Sequence, residues 1–315
     1  MSKRRLGRSD IFIEPLVLGT NVMGWTADET ASFAVLDGFA GEGFTAIDTA
    51  DSYSRWVPGN DSESEKIIGR WLKARGNRDR MHVFTKVGSD MGQGHHDLSA
   101  KWIVAAVEGS LKRLQTDYID LYQSHWPDPN TPQEETLRAH DELVRAGKVR
   151  FIGASNHDAG LLGEALAISA REGLARYETI QNEFNLHTRD RFEGPVQDLC
   201  LREQVSGIHY YSLAAGFLTG KYRSAADAGK SPRGAGVVKK YLDERGLRLL
   251  AALDGVAART GAARGEIALA WIAAQPAVAA PIASATTLEQ LHGLIRGARL
   301  TLGPDDLAQL TEAGR

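Results

Sequence analysis

The feature that most constrains how this chain can fold is an alternation running its whole length. Short apolar runs are separated by longer stretches in which apolar residues recur at helical spacing. The runs "PLVLG", "FTAID", "HVFTK", "YIDLYQ", "VRFIGA", "ETIQN", "GIHYYS" and "AVAAPIA" predict eight strands. Between them, Ile103, Ala106, Val107, Ser110 and Leu114 share one helical face, and the segment from Leu137 to Val144 stops at Gly147 as a helix does. "SESEKIIGRWL" predicts a further helix, with Ser62 or Ser64 as N-cap. Eight strand–helix units in 315 residues predict an α/β fold of the closed parallel (β/α)8 type, a TIM barrel, rather than an open doubly wound sheet. "RRLGRSDIFIEP" reads as an N-terminal β-hairpin turning at "GRSD", and helices complete the C-terminus. No shift in composition marks a linker, so the expectation is one domain over residues 1–315.

The rival nucleotide-binding architecture places a glycine fingerprint directly after its first strand. Here the first strand runs into "GTNVMGW", which lacks that spacing. Charge is nearly balanced, with 37 Lys and Arg against 40 Asp and Glu, and no long run of one sign suggests a nucleic-acid or membrane surface. The expected partner is therefore a small molecule. The start of the chain has no signal-peptide pattern and no run of apolar residues is long enough to span a bilayer, which predicts a cytoplasmic location. One cysteine, Cys200, sits among Val196 and Leu199 and reads as a core residue.

In such a barrel the functional groups gather where the strands end. In chain order those positions carry Gly19 and Thr20, Asp48 with Tyr53 just beyond, Lys86, His125, Ser155 and Asn156, Gln181 and Asn182, Tyr211 and Ser212, and Ser284. A lysine buried at a strand end needs a counter-charge, and Asp48 is the neighbour that supplies one. An ammonium beside Tyr53 should lower the phenol's pKa towards the working range and make it a usable general acid. His125 then converges from the next strand to hydrogen-bond the same substrate oxygen. Singly, each residue reads as an ordinary ion pair or rim side chain; together they describe proton delivery to a carbonyl oxygen. His95 and His96 are adjacent in "GQGHHDLS", but without a third ligand at suitable spacing they read as a solvated loop, and no metal is expected.

Taken with "LGRSD", "LGTNVMG", "IDTADSY", "SESEKIIGRWL", "FTKVG", "LKRLQTDYIDLYQSHWPD", "GKVRFIGASN", "QNEFNL", "YYSLAAGFLTGKY" and "PIASATTLEQL", the chain resembles the aldo-keto reductases nearly end to end. The resemblance implies a barrel that binds a nicotinamide dinucleotide without a Rossmann motif and passes hydride between it and an aldehyde or ketone. Asp48, Tyr53, Lys86 and His125 match the family's catalytic tetrad. Gly19, Thr20, Asn21 and Asp48 fall at the cofactor's edge. Ser155, Asn156 and Gln181 match the residues that hold the nicotinamide carboxamide, and Tyr211 its aromatic platform. Ser212, Leu213, Gly216, Leu218, Thr219, Gly220 and Lys221 would follow the pyrophosphate, with "RSAADAGKSPRGAG" as a strap over it. Ser284, Thr286 and Gln290 stand at the 2′-phosphate corner without a Lys or Arg, so NADP(H) is favoured with NAD(H) as the alternative. Trp25, Tyr53, Trp56, His125 and Trp126 would line the substrate mouth, and Ser54 stands where a glycine often follows the tyrosine. Two other readings stay open: a cofactor-sensing binding module of the same fold, and a carbonyl lyase that forms a Schiff base on Lys86.

Overall fold

The computed structural model describes residues 2–315. A two-stranded antiparallel hairpin, β1 (Arg4–Arg5) and β2 (Phe12–Ile13), precedes eight parallel strands. These are β3 (Val17–Gly19), β4 (Ala46–Asp48), β5 (His82–Val87), β6 (Ile119–Ser124), β7 (Val149–Ser155), β8 (Tyr177–Gln181), β9 (Ser206–His209) and β10 (Val278–Ala283). Neighbours in sequence are neighbours in the sheet, and β10 closes on β3 through Ile282 opposite Val17 and Ala283 opposite Leu18. Every expected strand and the opening hairpin are present, in a (β/α)8 barrel.

The outer layer begins with α1 (Glu29–Gly41), α2 (Glu63–Arg75), α3 (Ala100–Leu114), α4 (Gln133–Arg145), α5 (Ala159–Glu172) and α6 (Pro195–Glu203). Between β9 and β10 lie α7 (Gly234–Tyr241), α8 (Glu244–Thr260) and α9 (Arg264–Ala273), and the chain finishes with α10 (Leu288–Arg299) and α11 (Pro304–Ala313). Short polar side chains start many of these helices. Asp28, Ser99, Asp158, Asp243 and Thr287 each accept a backbone N–H three residues on, satisfying a donor that the first turn leaves free. α2 departs from expectation. Ser62 holds the cap position at φ +55° but its hydroxyl has no partner, while Ser64 Oγ instead bonds Thr20 Oγ1 (2.8 Å) and Thr49 Oγ1 (2.9 Å). Ser64 thus ties α2 to the ends of β3 and β4 rather than capping the helix.

The alternation of side chains along each strand splits the core in two. Residues facing outward, among them Leu18, Ile47, Val83, Tyr122, Ile152 and Ile180, pack beneath the helices with Trp71, Ile103 and Trp271. Inward-facing Val17, Ala46, Phe84, Leu121, Ile208 and Ala280 fill the lower barrel with Leu6, Ile11 and Ile13 of the hairpin segment. The hairpin is pinned there by Gly7 N–H on Ser206 Oγ (2.9 Å) and Arg8 N–H on Glu178 Oε2 (2.6 Å). One layer further along, the inward residues turn polar: Asp48, Lys86, Gln123 and Gln181 succeed the apolar floor. Gly153 makes room for that layer, since a Cβ on it would fall 2.2 Å from Thr179 Oγ1 and 3.1 Å from Gln123 Cγ. Cys200 is a buried core residue of α6. Among the described residues no helix is long and apolar enough to cross a membrane.

Candidate active site

The polar layer converges on one ion pair. Lys86 Nζ lies 2.6 Å from Asp48 Oδ2, with both side chains essentially buried. The same ammonium donates to Thr49 O at 2.7 Å and to Tyr53 Oη at 3.0 Å, so its three protons all have acceptors. The burial that would lower the lysine's pKa is outweighed by the Asp48 carboxylate and Tyr53, which hold it above its ordinary value. A lysine so engaged has no free lone pair, which removes the condition that the Schiff-base reading required. Asp48 Oδ1 accepts from Gln181 Nε2 (2.9 Å) and Gln123 Nε2 (3.2 Å), so both carboxylate oxygens are held.

For Tyr53 the expected direction is overturned. Burial raises its pKa, Lys86 lowers it, Asp48 raises it again, and the net shift is upward. Pairing Lys86 with Asp48 causes this: a neighbour that is itself nearly neutralised cannot outweigh desolvation of the phenolate. Tyr53 is therefore a phenol throughout the neutral range, with a cation in place to stabilise its anion once the proton leaves.

His125 follows β6, and its ring centroid lies 6.0 Å from that of Tyr53. Burial first, then Lys86 and His96, push its pKa well below the usual imidazole value, so the ring is neutral. Its Nδ1 meets Ser89 Oγ at 2.8 Å, and Ser89 Oγ in turn accepts from Ser52 Oγ at 3.3 Å. This chain leaves the Ser89 proton for Nδ1 and assigns the imidazole proton to Nε2. Nothing in the sequence pattern pointed to Ser89 or Ser52. Gln123 was legible in principle, since it lies two residues beyond the inward-facing Leu121 on β6.

At the rim, Ser155 Oγ donates to Gln181 O (2.6 Å), and Asn156 at φ +60° donates to His125 O (2.9 Å) while accepting from Tyr210 Oη (2.7 Å). Tyr211, also left-handed at φ +53°, is 41% exposed. Ser212 donates to His209 O. In the 3-10 segment Ala214–Thr219, Ala215 and Gly216 adopt positive φ, Leu218 is buried, and Thr219 Oγ1 donates to Gly216 O. Gly220 ends that segment at φ +83°, and Lys221 beyond it is exposed. Gly19 lies against Ser284, whose hydroxyl donates to Asn21 Oδ1 (2.9 Å); Thr286 donates through N and Oγ1 to Gln290 Oε1. Thr20 and Asn182 turn elsewhere: Thr20 Oγ1 donates to Asp48 O, and Asn182 Nδ2 to His157 O and Arg191 O. The expected strap contains a 3-10 turn, Ala225–Lys230, started by Asp227 accepting from the N–H groups of Arg223 and Ser224, and then α7.

The aromatic residues expected at the mouth do meet. Trp25 lies 5.6 Å from Trp56, Trp56 lies 6.4 Å from Tyr53, and Trp126 stacks on His125 at 5.8 Å. Ser54 holds φ +67° where glycine would be unstrained; its hydroxyl donates to Met23 O at 2.6 Å and binds the Tyr53 loop to the Trp25 loop. His95 is exposed, but His96 stacks on Trp126 at 5.5 Å, so only half of the pair is a solvated loop residue. Among the described residues no group of three or more His, Cys, Asp or Glu could hold a metal ion.

Behind the ion pair lies a second acid. Asp51 N–H donates to Lys86 O, yet both of its side-chain oxygens are buried without a partner, and the Tyr122 hydroxyl is likewise unpartnered. Burial and then the nearby Glu65 push the Asp51 carboxyl up to about 8. Glu65 itself is held by Arg113 Nε and Thr85 Oγ1, each at 2.6 Å.

A parallel barrel with a buried Asp–Lys pair bonded to a tyrosine at its strand ends defines a class, that of barrel oxidoreductases acting on carbonyl groups. The chain belongs to the aldo/keto reductase family, whose model matches residues 15–315. Among curated proteins it is 33% identical to Protein tas of Escherichia coli, over 98% of this chain and 96% of that protein. Aldo-keto reductase YhdN of Bacillus subtilis is 39% identical over 65% of this chain and 60% of its own length. Norsolorinic acid reductase stcV of Emericella nidulans is 31% identical over 96% of this chain and 78% of its own.

Proposed function

We propose that this chain transfers hydride between a nicotinamide dinucleotide and an aldehyde or ketone, or the corresponding alcohol, with Tyr53 as general acid and base. The observation that carries this reading is the three-way contact of Lys86 Nζ with Asp48, Thr49 O and Tyr53 Oη at the barrel's polar end. The side chains fit the dinucleotide on their own chemistry. Tyr211 is 41% exposed at the rim, with Lys240 Nζ 5.7 Å from its ring centroid, and Ser155, Asn156 and Gln181, whose donors now serve Gln181 O, His125 O and Asp48 Oδ1, would exchange those bonds for ones to a planar amide. When bound, the dinucleotide supplies or accepts the hydride at the carbonyl carbon.

The remaining work belongs to this chain. Tyr53, protonated at neutral pH, gives its proton to the carbonyl oxygen as charge develops there. Lys86 stabilises the phenolate that forms, and Asp48 keeps the ammonium charged and aimed. The neutral imidazole of His125 offers its Nε2 proton to the same oxygen and sets its direction, with Ser89 fixing the tautomer. In the alcohol direction the phenolate takes the proton back.

For the cofactor, NADP(H) is favoured. Ser284, Thr286 and Gln290 are neutral groups at one corner, where the Ser284 and Thr286 hydroxyls would turn from Asn21 Oδ1 and Gln290 Oε1 to a phosphate, and Lys221 has no ion-pair partner among the described residues. Arg223 is committed to Asp254 at 2.9 Å and adds little there. The test is a panel of carbonyls and alcohols with NADPH and NADH, followed at the reduced nicotinamide absorbance, run beside Tyr53→Phe. Turnover in the parent and a loss of about 10² or more in the variant, with dinucleotide affinity unchanged, is the expected result. Tight dinucleotide binding without turnover of any carbonyl would favour the binding-module reading.

A further inference from the structure

At the end of the barrel opposite Asp48 and Lys86, a cavity of about 250 Å³ opens between the N-terminal hairpin, α6 and the start of β10. Its walls are largely apolar, with Cys200, Leu201, Val205 and Val278 among them, and no acidic side chain of the described residues lines it. Arg4 and Arg5 do line it, and neither has an ion-pair partner among the described residues. Arg4 Nη1 donates to the carbonyls of Ala273, Val278 and Ala279 at 2.6, 3.1 and 3.3 Å, while Nε and Nη2 make no hydrogen bond there. Burial holds the Arg4 guanidinium below its ordinary pKa, as befits a cation taken partly out of water with no anion beside it.

The backbone around this cavity departs from regular geometry. Ala277 holds φ +63°, a conformation that costs a residue with a Cβ, and the pairing of β10 with β9 shifts register between Val278 and Ala280. The bulge leaves the carbonyls of Val278 and Ala279 to Arg4 Nη1, so one nitrogen anchors the group. Nε and Nη2 lie together on the remaining edge of the planar guanidinium, the pair of parallel N–H groups that a carboxylate matches. Gln204, which ends α6 at φ +55°, adds a side-chain amide that has no hydrogen bond among the described residues. Local strain, an unpaired cation and an apolar cavity therefore coincide, and a small anion with an apolar body would relieve the cation and fill the space.

We propose that this cavity binds a small carboxylic acid with a short apolar chain, its carboxylate on the Nε–Nη2 edge of Arg4 and its chain against Leu201, Val205 and Val278. Inorganic phosphate would meet the cation but leave the apolar walls uncovered. The site lies at the far end of the strands from Tyr53, so it stands independently of the carbonyl-reductase reading.

Calorimetric titration of the full chain with hexanoate, hexan-1-ol, hexylammonium and inorganic phosphate tests this. Hexanoate should saturate one site per chain and bind about tenfold or more tightly than hexanol, as a charge-assisted bond to one guanidinium allows. Each methylene from propanoate to hexanoate should tighten binding about threefold, and hexylammonium should not bind. Arg4→Met should abolish hexanoate binding and Arg4→Lys keep part of it. Leu201→Trp, a larger side chain at an exposed position on α6, should weaken it without moving the melting temperature. Hexanol binding as tightly as hexanoate would overturn the proposal, as would the absence of saturation by hexanoate. So would phosphate matching hexanoate with no dependence on chain length, since the apolar walls would then contribute nothing. Competition between hexanoate and NADPH would place the acid at the catalytic end of the barrel and overturn it too. A folded Arg4→Met variant with the parent's affinity has the same meaning. Because Arg4 also holds three carbonyls, an Arg4→Met chain that does not fold passes the decision to the other two variants, and unchanged affinity in both Arg4→Lys and Leu201→Trp then overturns the site.

Discussion

Replacing Asp51 with asparagine should make this protein more stable at alkaline pH, although the residue sits between Asp48 and Tyr53 in the chain. The carboxyl is raised from 3.8 to about 8, by burial first and by Glu65 second, against the smaller opposing effects of Arg113, the Ser52 N–H and Lys86. The folded protein therefore holds a proton there that the unfolded chain releases above about pH 4. Between those two values the folded state binds more protons than the unfolded one, so this group's contribution to stability falls as pH rises, by about 1.4 kcal/mol per pH unit. From pH 5 to pH 8 the loss is roughly 4 kcal/mol, a large part of the stability of an ordinary domain. The Asp51→Asn side chain would keep the shape and carry no titrating proton. Urea unfolding of the parent and of Asp51→Asn at half-unit steps from pH 5 to 8 reads the effect, since the titrations of groups that do not face Asp51 are common to both. The difference in unfolding free energy should move steadily in favour of the variant as pH rises. Parallel curves would refute the reasoning, and would mean that Asp51 is ionised at neutral pH beside a donor or cation that satisfies it.

Lys86→Met leaves the Asp48 carboxylate buried without its cation, which should cost about 3–5 kcal/mol of stability and reduce carbonyl reduction at neutral pH; a melting temperature and pH–rate profile matching the parent would show that the pair neither stabilises the fold nor assists Tyr53. Ser284→Arg puts a charged donor at a corner now served by neutral ones, and should raise the ratio of NADPH to NADH affinity by about tenfold, as measured dissociation constants would show. If the parent binds NADH more tightly than NADPH, the assignment of that corner to a 2′-phosphate is wrong. Gly153→Ala should push Gln123 and Thr179 from the polar layer and destabilise the barrel by about 1–3 kcal/mol, and an unchanged unfolding midpoint would mean the strand can shift to admit the methyl group.

The chain's own residues were enough to establish the barrel, because strand and helix periodicity is a local property and eight repeats of it in a chain of this length close in few ways. They were also enough to bring Asp48, Lys86 and Tyr53 together, since a barrel gathers successive strand ends whatever separates them in sequence. What they did not contain was the balance of forces at that point. A lysine beside Tyr53 reads as lowering its pKa until the burial of the phenol and the neutralising effect of Asp48 are weighed with it, and those depend on how closely the walls pack. The same holds for Ser64, which has the pattern of a cap but bonds Thr20 and Thr49, and for Ser89 and Arg233, which reach His125 and Trp25 from loops without a periodic signal. Periodicity and strand order are written along the chain; desolvation, tautomer and the partner of a loop side chain arise only where distant segments meet, and the tertiary structure decided those.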